Sequence, residues 1–187
     1  LQAQPQFAAL LRGTLLPKDY RRLLLRLFGL HAPIEARIAR HDGEVLMGWR
    51  KIGAVPGWPA RLRSDLSFLG VDQAAIDAAP SAATLLPALD NAAAALGCAW
   101  VVEGSALGGR VMSRRLNAIL GTAGAGGAGT FLATQPGQSD RWIGCCAAVE
   151  ACGADPRHHI DMRNAAVAVF DVFERWLTDP SCWAVSS

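Results

Sequence analysis

The sequence predicts an all-α fold, a single-domain helical bundle, and three observations carry that expectation. Its 187 residues are 51% hydrophobic and only 18% charged, a balance that suits one domain with a sizeable core and argues against disorder. Apolar residues recur at the three-and-four spacing of a buried helix face, while strand signals are nearly absent. Glycine, proline and polar breakers fall between the apolar stretches, and no internal repeat is visible. The chain reads as one domain over 1–187, with 178–187 as a tail.

Each element follows from its residues. Residues 1–16 carry a short apolar helix signal at Phe7, Leu10 and Leu11, stopped by Gly13. Pro17 suits the first turn of the next helix, where its missing N–H is not required. From 18 to about 40, Tyr20, Leu23, Leu24, Leu27, Leu30, Ile34 and Ile38 trace a buried face. Pro33 lies inside that helix and predicts a kink near Gly29 or Leu30. His31 stands four residues before Glu35, so adjacent turns let them touch. One histidine and one carboxylate make an incomplete metal site, and the reading is a partly buried histidine satisfied by a neighbour.

His41, Asp42 and Gly43 end this helix in a turn, and residues 53–59, GAVPGWP, form a breaker-rich connection. Short helices are expected over 61–69 and 71–79, closed by Gly70 and by Pro80 with Ser81. From about 84 to 120 an alanine- and leucine-rich pattern is helical again, and its length predicts a break at Gly97 or at Gly108 and Gly109. Residues 121–130, GTAGAGGAGT, satisfy the letters of G-x-G-x-x-G at Gly124, Gly126 and Gly129. The context does not fit, because a helix precedes them and no βαβ unit or phosphate-binding lysine surrounds them; a flexible loop is expected. Residues 139–152 read as a helix capped by Ser139 or Asp140, with Trp142, Ile143, Cys146 and Val149 inward. His158 and His159 point about 100° apart on a helix, a poor arrangement for one metal ion, and read as surface residues. The last helix, 161–177, turns Met162, Ala165, Ala166, Val169, Phe170, Phe173, Trp176 and Leu177 to the core.

A formal net charge of +2 is too mild to suggest nucleic acid as a partner. No apolar run approaches the ~18 residues of a membrane span, so no membrane role is expected. Five cysteines at irregular spacings, with no Cys-x-x-Cys pair, read as reduced thiols filling the core of a cytoplasmic protein, with no metal role. The chain opens on Leu1 without a signal-peptide pattern, which predicts a trimmed or processed start.

The stretch that asks for a functional explanation is Trp100 to Met112, WVVEGSALGGRVM, inside the longest helical pattern. Each glycine costs about 1 kcal/mol against alanine in a helix interior, so Gly104, Gly108 and Gly109 together cost roughly 3 kcal/mol. With Ser105 they recur at intervals of up to five and cluster near one side. Either another helix approaches closely there, or a flat ligand lies against bare peptide.

EGSALGG, flanked by apolar runs, resembles the distal-helix motif of the bacterial heme oxygenases, particularly those that supply biliverdin to bacterial phytochromes. DYRRLLLRLFGLHAPIEARI is similar to an early helix of that family, RLRSDLSFLGV to its linker and short helix, and AAVAVFDVFERWL to its last helix. The matching pieces run from about Lys18 to Leu177. The resemblance implies a heme-oxygenase-like bundle with heme as both substrate and cofactor, opened with dioxygen and electrons to biliverdin, carbon monoxide and ferrous iron. It implies Ser105 and Gly108 as catalytic positions and Gly104, Ser105, Gly108, Gly109, Arg141 and Phe170 against the heme. Gly104, Gly108 and Gly109 would offer backbone, Ser105 with ordered water the hydrogen bonds, and Arg141 would reach a ligand carboxylate. Phe173, Trp142 and Phe131 are further candidates for the pocket wall, and Glu103 would face away toward a basic residue on another helix. Implied partners are an electron donor such as a ferredoxin or reductase, and a bacterial phytochrome.

In one respect the chain departs from the family pattern. The iron-binding histidine of that family lies in a segment of the type A-T-x-x-x-H ahead of the leucine-rich opening, and no histidine here precedes His31. A missing amino-terminal ligand helix is the expected cause. The rival reading is a protein of the same fold, lacking the axial histidine, that binds a tetrapyrrole or a protein partner without catalysis.

Overall fold

In a computed structural model of the chain, residues 5–41 and 57–183 are described, and all regular structure among them is helical. The predicted turn at Asp42 and Gly43 and most of the 53–59 connection lie outside the described residues. Helix α1 (Pro5–Arg12) stops at Gly13, where φ is +70°. A left-handed residue of this kind is cheap only for glycine. Helix α2 (Pro17–Ile38) begins on Pro17 and continues as one helix through Pro33. At Gly29 the Pro80 carbonyl comes so close that a Cβ would collide with it.

Helix α3 (Trp58–Phe68) starts three residues ahead of the predicted 61, because Pro59 fits its first turn. Helix α4 (Gln73–Asp77) is capped by Asp72, whose carboxylate accepts the Ala75 N–H at 2.7 Å. A 3-10 turn, Ala82–Thr84, leads to α5 (Ala92–Ser113), capped by Asn91 through the Ala94 N–H at 2.9 Å. The expected break inside α5 does not occur at Gly97, Gly108 or Gly109. Gly97 is used for packing instead, since a Cβ there would collide with the backbone of Met162.

Helix α6 (Leu116–Ala128) corrects the expected glycine loop: residues 122–128 are helical after an abrupt change of direction at Gly121, φ +72° and ψ 169°. Leu116, Ile119 and Ala128 are buried, so burial at both ends outweighs the weak helix propensity between them. Gly124 and Gly126 of the dinucleotide fingerprint thus lie within a helix and Gly129 just past its end, with no strand among the described residues, and that reading ends there. Helix α7 (Gln138–Cys152) is turned differently from the prediction, with Cys145 buried and Ile143 64% exposed. Its inward face runs through Arg141, Cys145, Ala148 and Cys152, and Arg141 fixes it by a buried ion pair to Glu103. Helix α8 (Pro156–Thr178) begins five residues ahead of the predicted start. Asp155 caps it by accepting the Arg157 N–H at 2.8 Å, and Pro156 occupies the first turn. A last 3-10 turn is Pro180–Trp183.

Helix α5 is the axis of the bundle: it lies longest against α8, then against α7, and also touches α2 and α6, while α2 packs on α3. Among the described residues it is the one helix long and apolar enough to cross a membrane, and 65% of its apolar window is buried inside the bundle. Leu62, Leu66, Leu96 and Trp176 are among the side chains fully enclosed at the core. Truncating such a leucine to alanine costs about 2–5 kcal/mol.

Candidate functional site

The bare stretch of α5 serves three different neighbours. A Cβ at Gly104 would stand 3.3 Å from the Trp142 ring; at Gly108 it would meet only the Met112 methyl at 3.7 Å; at Gly109 it would lie 2.9 Å from the Leu132 carbonyl oxygen. At about 100° per residue, Gly104 and Gly109 are roughly 140° apart, so no single partner can cover both. Ser105 and Gly109, one turn apart, share a side, and that side looks into a narrow apolar slot. The Ser105 hydroxyl donates to the Val102 carbonyl at 2.7 Å.

The slot also receives Tyr20, Leu24 and His31 from α2, Phe131 from the segment after α6, and Phe173 from α8. Its volume is about 60 Å³. Ordinary ligand pockets hold about 300–1,000 Å³. Tyr20 is fully buried and donates to the Ala128 carbonyl at 2.9 Å, tying α2 to the end of α6. Burial, with the Asp65 carboxylate adding to it, holds the Tyr20 phenol protonated.

His31 is the unusual group at this slot. It is 2% exposed and stands against the edges or faces of Phe131 at 5.3 Å, Phe173 at 5.7 Å and Trp58 at 6.0 Å. Its Nδ1 has no hydrogen-bond partner among the described residues. Burial, reinforced by the Arg61 charge, pushes its pKa down to about 3, so the ring is a neutral imidazole at ordinary pH.

Behind His31 and Trp58 opens a second, polar chamber of about 360 Å³, carrying Glu35, Glu103 and Arg141. Glu103 is 2% exposed, and its Oε1 accepts from Arg141 Nε at 2.7 Å. The Glu35 carboxylate accepts the Trp58 N–H at 3.1 Å, and burial raises its pKa against that bond and the nearby guanidinium groups. The Arg61 guanidinium lies 4.0 Å over the Trp58 ring, and burial pulls its pKa down to about 10. Beside this layer, fully buried Asp65 accepts the N–H groups of Thr130 and Phe131, each at 2.9 Å. That pair of bonds locks the Phe131 wall of the slot to α3. Burial raises the Asp65 pKa, opposed by those same bonds.

Of the residues singled out from sequence, Ser105, Gly109, Phe131 and Phe173 meet at the slot. Gly104 and Trp142 pack on one another beside it, and Gly108 is exposed. Arg141 belongs to the polar chamber, paired with Glu103 as expected of that carboxylate. Phe170 departs from expectation: it is 50% exposed on the outer face of α8, because the buried face runs through Val169, Val172 and Phe173 instead. Sequence reasoning passed over Tyr20 and Asp65 as site residues. The signal for Asp65 was an acid at helical spacing between Leu62 and Leu66, on a face that otherwise goes into the core. His158 and His159 are exposed, and no cluster of three or more metal-binding side chains occurs among the described residues. All five cysteines are free thiols, with Cys98 and Cys145 buried and pushed up to about 12 by burial. Comparison of the chain with family models, with curated proteins and with solved structures finds no match.

Proposed function

We propose that the chain is a heme oxygenase of the biliverdin-producing bacterial type, and that heme enters between α5 and the aromatic side of the bundle. One observation carries this reading: the bare, serine-bearing side of α5 and a buried neutral imidazole with an unpartnered nitrogen converge on one apolar slot. In kind, the residues fit a porphyrin. Tyr20, Phe131 and Phe173 provide apolar faces, Gly109 provides peptide without a side chain, and Ser105 provides a hydroxyl. In present width they do not, since about 60 Å³ admits no macrocycle. The wall able to give way is α1, a helix of eight residues that ends at a left-handed glycine and buries only Phe7 and Leu10.

When bound, heme supplies the redox and dioxygen chemistry, drawing electrons from a ferredoxin or reductase. The chain's own residues bind, orient and keep the site dry. Turning the Ser105 hydroxyl from the Val102 carbonyl toward the slot gives up one hydrogen bond, a net cost of about 0.5–1.5 kcal/mol. His31 presents a nitrogen that gains a partner from any donor or ordered water entering the slot. No aspartate stands in EGSALGG, and its Glu103 is tied to Arg141 in the polar chamber, so water must carry protons across the distal side. Biliverdin would pass to a bacterial phytochrome in the cytoplasm. The rival, a tetrapyrrole-binding protein without ring opening, is favoured by the narrow slot.

An absorbance titration with hemin tests the reading on protein that carries its encoded amino terminus. A sharp Soret band at one hemin per chain, replaced by biliverdin absorbance when reductant and air are supplied, is the expected result. Binding without product selects the rival, and a chain that shows neither Soret band nor product overturns the enzyme reading and leaves the rival as a groove for a linear tetrapyrrole or a protein partner.

A further inference from the structure

Helix α8 carries an outward face that the bundle leaves uncovered. At about 100° per residue, Ile160, Arg163, Val167, Phe170, Asp171 and Glu174 fall within about 60° of a line through Val167. Ile160 is 47% exposed, Val167 56% and Phe170 50%. Beside them lies a shallow apolar groove of about 340 Å³ between α8 and the α5–α7 side, with Trp100, 37% exposed, along it. Three large apolar side chains in line on one surface helix, next to an apolar groove, are more than the scattered exposed residues of an ordinary surface.

Charge on this face is arranged with a direction. Ahead of Val167 stands Arg163, whose guanidinium makes, among the described residues, only a 3.4 Å contact with the neighbouring Asn164 side chain. Behind it stand Asp171 and Glu174, which make no ion pair among the described residues. Arg175 lies about 80° to the side. A face that is apolar at its centre, basic before it and acidic after it is complementary to itself when turned end for end.

We infer that a second copy of this chain covers this face, α8 against α8, antiparallel about a two-fold axis at Val167. Val167 then meets its own copy, because residues symmetric about 167 face one another. Arg163 of each chain meets Asp171 of the other, with Glu174 one turn further along, and this occurs twice. The Phe170 rings flank the axis and are withdrawn from water together with the edge of Trp100. The ion pairs at the rim set register and direction, while the apolar centre supplies most of the affinity.

Sedimentation equilibrium and light scattering on the full chain read the association directly, with circular dichroism confirming that each variant stays helical. The wild-type chain is expected to be a dimer at micromolar concentration. Phe170→Glu is expected to yield monomers, and Arg163→Glu to weaken association at least about tenfold by facing acid with acid. Adding Asp171→Arg to Arg163→Glu reverses one of the facing charges and is expected to recover most of the loss. A wild-type chain that stays monomeric at 100-fold higher concentration would overturn the inference, as would a dimer indifferent to Phe170→Glu. Failure of the double variant to recover association would overturn the antiparallel register. Hemin binding plays no part in these measurements, so the interface stands or falls apart from the proposed function.

Discussion

His31 is a residue held in a form that solution would not choose. An unfolded imidazole takes up its proton near pH 6.5, and the buried one only near 3. Between those values the unfolded chain binds a proton that the folded chain refuses, so stability falls as the pH drops through that window. Above 6.5 the full stability is present. The loss is on the order of several kcal/mol by the lower end. Glu35 and Asp65, whose pKa values are raised by burial, act in the opposite sense and favour the folded state on acidification. They are common to wild type and a His31→Phe variant and cancel between them. Urea unfolding of the two proteins at pH 7, 5.5 and 4.5 is expected to show the wild type losing its relative stability in acid; parallel curves would refute the buried neutral ring. Asp65 yields a second expectation at this scale. Removing its carboxylate by Asp65→Ala leaves the N–H groups of Thr130 and Phe131 without their acceptor, a cost of about 2–4 kcal/mol. A thermal midpoint lowered by several degrees is the result to look for.

At the scale of the element, the glycines of α5 separate two explanations that sequence leaves joined. Gly108 is exposed and open, so Gly108→Ala is expected to stabilise the free protein by about 0.5–1 kcal/mol through helix propensity. Gly109→Ala would put a methyl 2.9 Å from the Leu132 carbonyl oxygen and is expected to destabilise instead. Paired urea titrations check the signs; two changes of the same sign would mean that α5 and the Leu132 segment do not lie this close. Helix existence was largely legible from sequence: α2, α5 and α8 follow from apolar spacing, and Pro17 marks a start correctly. Rotation and boundaries were less so. The weak apolar pattern of α7 pointed to the wrong inward face, which the Arg141–Glu103 pair turns instead, and α6 forms from a glycine-rich run only because its flanking apolar residues are buried.

For the whole molecule, the narrow slot makes a kinetic prediction. If heme enters the space beside Ser105 and Gly109, the bundle must first open, so the rate of Soret development should level off as hemin concentration rises. A rate that climbs linearly to the diffusion range would mean that heme sits on an existing surface. Binding should also stabilise the fold, by about 2.7 kcal/mol at a free concentration 100 times Kd. The slot, the polar chamber and the outer face of α8 are separate regions of one bundle, and α5 borders the first two and flanks the third.

By itself the sequence determined the helical class, most of the elements and the bare stretch on α5, because apolar period, caps and glycine cost act over a few neighbouring residues. Tertiary structure alone decided that Ser105 and Gly109 share a slot with His31 and Phe173, that Arg141 answers Glu103, and that Phe170 faces outward. Those outcomes depend on how helices distant in the chain rotate against one another, and that rotation is settled by packing and by the pairing of buried charge.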